Sequence, residues 1–280
     1  MRFGPARITA SPTAPATPAA PNWKAAGRKL ATAPARLAGK LRSVFAEFGP
    51  KEGTLFILAR LISATTHGRG RLVRYWIVAQ PIIPQVEPHL GNTRVEEVPR
   101  THAVVGEFPR PPGVIAMRFD TGGVCLAAWL KDKFAGYLWY AERRYVEDHV
   151  RCVYELAEPE QTVWDYDVYV APEFRLGRTF IRLWDAANAR FAERGFSWSL
   201  SRIEAFNRGS VDSHFRFGTV RLATATFFCL GSAQLALFSC PPYLHWSASE
   251  SNPPTLRLAP PQDAKEVQAR RERFRPVETA

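Results

Sequence analysis

The chain reads as an α+β protein, with a mixed, mostly antiparallel sheet and helices on both faces. Three observations predict this. β-rich segments separated by short turns follow one another from about residue 114 to 170. A strand–turn–helix–strand unit then covers 168–205, where a crossover allows parallel pairing. Two further strands follow at 219–238.

Taken in order, residues 1–22 are rich in Ala, Pro, Thr and Ser, and such a composition buries too little apolar surface to offset ordering. Residues 23–48 are basic, with Leu37, Leu41, Val44, Phe45 and Phe48 near helical spacing. They read either as an amphipathic helix touching anionic lipid or an acidic partner, or as a solvated helix packed on the domain edge or a disordered segment. The expected organisation is a basic, disordered arm over 1–50, a domain over 51–240 and a Pro-rich, charged tail over 241–280, with an exposed helix over 263–274.

Within the domain, Lys51–Thr65 is expected to be a helix with Leu55, Leu58, Leu61 and Ile62 inward. Arg71–Ile83 is rich in β-formers and reads as a strand. Residues 84–112 are punctuated by proline and should wrap the surface. Strands are expected at Val114–Phe119, Val124–Lys131 and Ala135–Glu142, the last two joined by a hairpin turn at Asp132-Lys133. Arg151–Leu156 and Thr162–Val170 flank a turn at Glu158-Pro159-Glu160. Thr179–Arg194 is a helix ended by Gly195, a good residue for the left-handed C-terminal position. Ser197–Ala205 is a strand, Arg208–Phe217 a helix, and Thr219–Leu230 and Ala233–Phe238 are strands.

The formal charge is +11, but residues 1–50 carry eight basic side chains and one acid, so +7 of it lies in the arm. The mildly basic remainder gives no reason to expect specific nucleic-acid binding. Cys125, Cys152, Cys229 and Cys240 form no C-x-x-C pair and sit in apolar surroundings, as expected of reduced thiols in a cytoplasmic protein. No continuous apolar run reaches the roughly 18–20 residues of a membrane span. The start of the chain has no apolar core of a secretory signal.

The most informative stretch runs from Val168 to Gly218. Val168-Tyr169-Val170 ends a strand at Pro172, and Arg175-Leu176-Gly177-Arg178-Thr179 leads into a helix. A helix N-terminus offers unpaired N–H groups and partial positive charge, to which Arg175 and Arg178 add formal charge and Thr179 a hydroxyl. After the next strand, Asn207 is followed at offsets of three, seven and eleven by Ser210, His214 and Gly218. This order resembles the acyl-CoA-binding half of the GNAT superfamily of N-acyltransferases, over roughly residues 114–230.

The resemblance implies acetyl-CoA, or another acyl-CoA, as donor. It also implies an amine acceptor, small or sugar-linked, and direct attack on the thioester. It places the donor against Val168, Tyr169, Val170, Arg175, Leu176, Gly177, Arg178, Thr179, Asn207 and Ser210. A backbone N–H of Tyr169 or Val170 would meet the thioester carbonyl. GNAT proteins typically carry Arg/Gln-x-x-Gly-x-Gly/Ala at the phosphate turn. Here Arg175 matches the first position, Arg178 and Phe180 stand where the glycines belong, and Gly177 is displaced by one. His214 stands where the family's tyrosine acid belongs. These departures keep a second reading open, a catalytically silent GNAT-like binding module.

A general base can be a carboxylate on a central strand, and Asp165, Asp167 and Glu142 are the candidates. Asp165 and Asp167 are two apart in a strand, so alternation puts them on one face. Glu147-Asp148-His149 has metal-ligand chemistry, but neighbours on a strand diverge, so no metal site is expected.

Overall fold

The structure, a computed structural model, describes residues 23–83, 90–216 and 218–262. The readings for 1–22 and 263–274 lie outside the described residues. The chain divides into two compact units at Gly49. Helix α1 (Trp23–Thr65) is interrupted there, where Gly49 leaves helical geometry at φ 74°, ψ 175°. Residues 23–48 are helical, which agrees with the helical readings given above and not with a disordered arm.

The second unit carries the sheet. Its strands are β1 (Gly70–Pro81), β2 (Thr93–Val98), β3 (Val124–Leu130), β4 (Lys133–Ala141), β7 (Thr162–Val170), β8 (Trp198–Glu204), β9 (Val220–Leu230), β10 (Ala233–Phe238) and β11 (Leu244–Ser247). They form one nine-stranded sheet in the order β11-β10-β9-β1-β8-β7-β4-β3-β2. Only β7 and β8 run parallel within it. A second sheet holds β5 (Arg144–Val146), β6 (Val153–Leu156) and β12 (Thr255–Leu258) in the order β12-β6-β5. The remaining helices are α2 (Pro112–Asp120), α3 (Thr179–Glu193) and α4 (Arg208–Arg216). This is the mixed, mostly antiparallel α+β architecture expected from the sequence.

Several local readings are corrected. Val114–Phe119 is helix rather than strand. Pro112 opens that helix, where a missing N–H costs nothing, and Gly122 follows it at φ 86°. Ile115 and Arg118, three apart, face inward, so helical burial overrides the β preference of Val114 and Ile115. The Pro-rich stretch 84–112 contains edge strand β2. The β3–β4 turn is Lys131-Asp132, one residue earlier than read, with both residues at positive φ as a two-residue hairpin of this type requires. β6 does not pair with β7. It joins β12, about a hundred residues away, in the small sheet. The stretch read as a tail thus supplies β11 and β12. Leu58 and Leu61, read as inward, are exposed.

The sheet has apolar cores on both faces. One is aromatic, with Tyr75, Trp139, Trp164, Tyr166 and Phe227. The other lies under α3, where Leu183, Ala187 and Phe191, spaced by four, meet Leu126, Leu138 and Val163. Full burial of such Leu and Phe side chains stabilises by roughly 1.5–3 kcal/mol each. This fixes α3 against the sheet and so fixes one wall of the site described next.

Candidate active site

The parallel pair β7–β8 is short. It runs only from Thr162↔Trp198 to Trp164↔Leu200. Beyond this, β7 stays with β4 as far as Val170, and β8 stays with β1 as far as Glu204. The two strands part, and a 620 Å³ cleft opens between them, walled by α3 and α4. Because α3 returns from the open end toward the paired end, the cleft follows it from Phe180 to Asn188, roughly 12 Å at 1.5 Å per residue.

The opening depends on a bulge in β7. Tyr137 faces Tyr169 and Trp139 faces Tyr166, so β7 spends one more residue than β4 over this step. Asp167 takes up the slack at φ 47°. After the bulge the alternation is shifted. Tyr166 and Tyr169 both join the aromatic core, while Val163, Val168 and Val170 face α3. Further along, Ala171 N–H bonds Ala135 O at 2.9 Å, so by alternation the Val170 N–H points away from β4. The Val170 carbonyl, on that same edge, accepts from Arg175 Nε at 3.1 Å.

Gly136 lies opposite Val170, and a Cβ added to it would come within 3.2 Å of Val170 Cα and closer still to the Tyr169 carbonyl. Gly136→Ala should therefore destabilise by about 1–3 kcal/mol in urea unfolding. An unchanged midpoint would show that β4 and β7 are not held this tightly.

The bulge separates the two aspartates that strand alternation had put on one face. Asp165 is buried and accepts from Ser199 Oγ at 2.5 Å. Burial raises its carboxyl from 3.8 to about 7, and hydrogen bonds from Ser199, its own backbone and Ser201 only partly oppose this. Asp167 turns to the other face. Its carboxylate accepts from Arg110 Nε at 2.9 Å, Arg118 Nη1 at 2.5 Å and Tyr137 Oη at 3.0 Å. Burial alone would push its pKa up, but the two guanidinium groups hold it below the usual carboxylate value. Asp165 is thus a proton acceptor near neutrality, and Asp167 is a fixed anion. Glu142 is outside the cleft, paired with Arg194.

Of the other predicted residues, Val168, Ser210 and His214 line the cleft. Burial lowers the pKa of His214, which leaves its imidazole neutral at pH 7. Asn207 caps α4 instead of lining the cleft, its Oδ1 accepting from Ser210 N at 3.2 Å. Tyr169, Arg175, Leu176, Gly177, Arg178 and Thr179 are not in the cleft wall. Arg178 is the residue preceding α3 and makes no side-chain cap. Thr179 is buried in the first turn, while Arg175, Leu176, Gly177 and Arg178 are exposed beside it. The result is a helix start with open N–H groups and two cations at the mouth of the cleft.

The sequence reading missed Gln80 and the α3 residues Phe180, Trp184, Asp185 and Asn188, all of which line the cleft. The spacing of four among Phe180, Trp184 and Asn188 was legible as a second stripe on α3, beside the buried stripe of Leu183, Ala187 and Phe191. Arg202 also lines the cleft, but its Nε and Nη2 donate to the two carboxylate oxygens of Glu147 at 2.5 and 2.7 Å. Glu147, Asp148 and His149 follow the end of β5, so strand alternation does not separate them, and their ligand atoms lie within 4.8 Å. Arg202 and Arg118 already occupy the two carboxylates.

No family model matches the chain, and no curated protein matches it. Solved structures similar to it include a functionally unknown conserved protein from Staphylococcus epidermidis, at 10% identity and TM-score 0.40, covering 60% of this chain and 66% of that one. A putative GNAT-family acetyltransferase from Novosphingobium aromaticivorans matches at 15% identity and TM-score 0.38, covering 56% and 63%. A tandem GNAT protein from the clavulanic acid biosynthesis pathway matches at 13% identity and TM-score 0.40, covering 61% and 55%. The chain spans less than two thirds of the length of each.

Proposed function

We propose that the protein is an acyl-CoA-dependent N-acyltransferase and that the cleft between β7 and β8 is its active site. The parting of these two strands carries the reading. It leaves one backbone edge of β7 without a strand partner beyond Trp164, open to the amide-bearing arm of a pantetheine thioester. At its mouth, the open first turn of α3 and the Arg175 and Arg178 side chains suit a pyrophosphate. The glycines of the usual turn are absent, so this site rests on helix N–H groups and arginines.

The bound thioester supplies an activated acyl carbon, at which a C–N bond to the acceptor replaces the C–S bond. Asp165, ionised above about pH 7, takes the proton that the acceptor ammonium must lose. The second nitrogen proton passes to the departing sulfur, which leaves as a thiol, while the neutral His214 imidazole donates a hydrogen bond to that sulfur and does not itself deliver a full proton. Removing that donor with His214→Ala should lower turnover by about 10²-fold while leaving donor affinity within a few-fold.

The direct test is calorimetric titration with acetyl-CoA, CoA and a longer acyl-CoA, on the wild type and on Arg178→Glu. Micromolar binding, weakened at least tenfold in the variant, is expected. No binding of any thioester would reject the assignment. Binding of thioesters without acyl transfer to any of a panel of amines would make the protein a silent binding module.

A further inference from the structure

The break at Gly49 separates two parts of α1 that are held differently. After it, Glu52 pairs with the buried Arg74 and ties the helix to β1. Before it, the helix belongs to the other compact unit. There Leu37, Leu41 and Phe45, spaced by four, are 60%, 36% and 39% exposed. At 3.6 residues per turn they form, with the half-buried Val44, an apolar stripe about 100° wide. Single exposed apolar side chains are ordinary, but a row of them on one helix face marks a contact surface.

The charges lie along the borders of that stripe. Lys40 follows about 40° beyond Val44 on one side, and Arg42 about 60° beyond Phe45 on the other. Arg36 and Glu47 come next on the Lys40 side. Arg36, Lys40 and Arg42 are exposed and form no ion pair among the described residues. By sequence, residues 23–48 carry six basic side chains and one acid.

We propose that this segment is a peripheral anchor that lies in the plane of an anionic lipid surface. Leu37, Leu41, Val44 and Phe45 go below the headgroups, and Arg36, Lys40 and Arg42 sit among them. Charge and its placement select this partner. A second copy of the helix would set one cationic face against another, which like-charge repulsion opposes. A lipid surface offers apolar depth under the stripe and phosphate along both borders, where Lys and Arg stems reach headgroup level. Each cation near such a surface raises affinity by about fivefold. One short apolar row and a few cations make the binding reversible. The anchor stands apart from the acyltransferase reading and uses none of the cleft residues.

The test is co-sedimentation of the full chain with vesicles of phosphatidylcholine, and with vesicles that also hold roughly 30 mol% phosphatidylglycerol. Binding to the anionic vesicles should be at least tenfold tighter and should weaken with added salt. Leu41→Ser combined with Phe45→Ser should reduce it tenfold or more. Lys40→Gln combined with Arg42→Gln should do the same and flatten the salt dependence. Both double variants change exposed side chains, so the thermal midpoint should stay unchanged. No vesicle binding, equal binding to both compositions, or anionic binding that survives the loss of Leu41 and Phe45 would overturn the anchor. So would binding of poly(U) RNA without vesicle binding, which would give the cations to nucleic acid. A dimer dissolved by the apolar substitutions, again without vesicle binding, would overturn it in favour of a second copy.

Discussion

Asp165→Asn should cut acyl transfer by orders of magnitude and, at pH 8, make the protein more stable. The carboxyl is buried and raised from 3.8 to about 7. Between those values the folded chain holds a proton that the unfolded chain has released. The stability of the protonated state is therefore fully present below about pH 4 and is lost progressively as pH rises through 7. Three pH units at about 1.4 kcal/mol each make this a loss of roughly 4 kcal/mol by pH 8. Asn keeps the size and the bond to Ser199 but does not titrate. Urea unfolding of the two proteins should give similar stabilities at pH 4–5 and a gap of about 2–4 kcal/mol in favour of the variant at pH 8. Parallel stability curves would show that the carboxyl does not carry its charge into a dry site. The same substitution should lower turnover by about 10²–10⁴-fold, as removal of a general base does, while thioester affinity stays unchanged. Wild-type turnover should rise with pH through about 7. A residue that costs stability when ionised and is lost only at the expense of turnover fits a catalytic base.

The parts of this site that were legible in the sequence are those set by local signals. The crossover at 168–205 was legible from apolar periodicity, Pro172 and Gly195, which end or cap elements by their own geometry. Asp165, Ser210 and His214, expected together from the order of elements, line one cleft. The illegible parts depend on partners distant in the chain. The bulge at Asp167 is invisible to a period of two, because it comes from the different spacing of β4 against β7. That slip decides which of two similar aspartates is buried against Ser199 and which is tied into ion pairs with Arg110 and Arg118. The Val114–Phe119 error has the same origin. Val114 and Ile115 favour strands, but the burial of Ile115 and Arg118 on one helical face sets the outcome. β12 finds β6 across about a hundred residues, and no window short enough for periodicity can contain both. Asn207 shows the reverse risk. Its offset pattern was recognisable, yet the side chain caps α4, a role that any Asn before a helix can fill.

The largest loss of stability is expected from Arg118→Met. The guanidinium is 3% exposed and bonds Asp148 Oδ2 at 2.6 Å and Asp167 Oδ2 at 2.5 Å, from α2 to the β5–β6 connection and to the β7 bulge. It also lies over the rings of Trp139 and Tyr166, at 5.6 and 5.4 Å. A Met fills much of the volume but takes from Asp148 its closest guanidinium, leaving Arg202 at 3.9 Å, and leaves Asp167 with Arg110 as its guanidinium partner. Breaking a buried pair in this way typically costs about 3–5 kcal/mol, because the orphaned charge stays buried. The pH dependence identifies the cause. In the wild type, burial pushes both carboxyls up, and Arg118, with Arg110 at Asp167, outweighs it and holds them below 3.8. Their contribution is thus present above about pH 4 and is lost as pH falls through the depressed values. Without the Arg118 guanidinium, burial at Asp148 is opposed only by the more distant Arg202 and by His149, and protonation in acid relieves the variant. The gap measured by urea unfolding should therefore be widest at pH 7 and narrow toward pH 4. A gap that is constant with pH would mean that lost packing, not orphaned charge, is responsible. Arg118→Lys should not rescue, since one ammonium cannot reach two carboxylates with the fixed fork of a guanidinium. The consequence reaches the cleft through Asp167. This residue takes the left-handed conformation that lets β7 leave β8, and it is tied down by Arg110, Arg118 and Tyr137. Loosening it should weaken acyl-CoA binding in the folded variant by several-fold or more. The more conservative Asp167→Asn should do the same with a smaller loss of stability. Full donor affinity in both would show that the cleft stays open without its anchor.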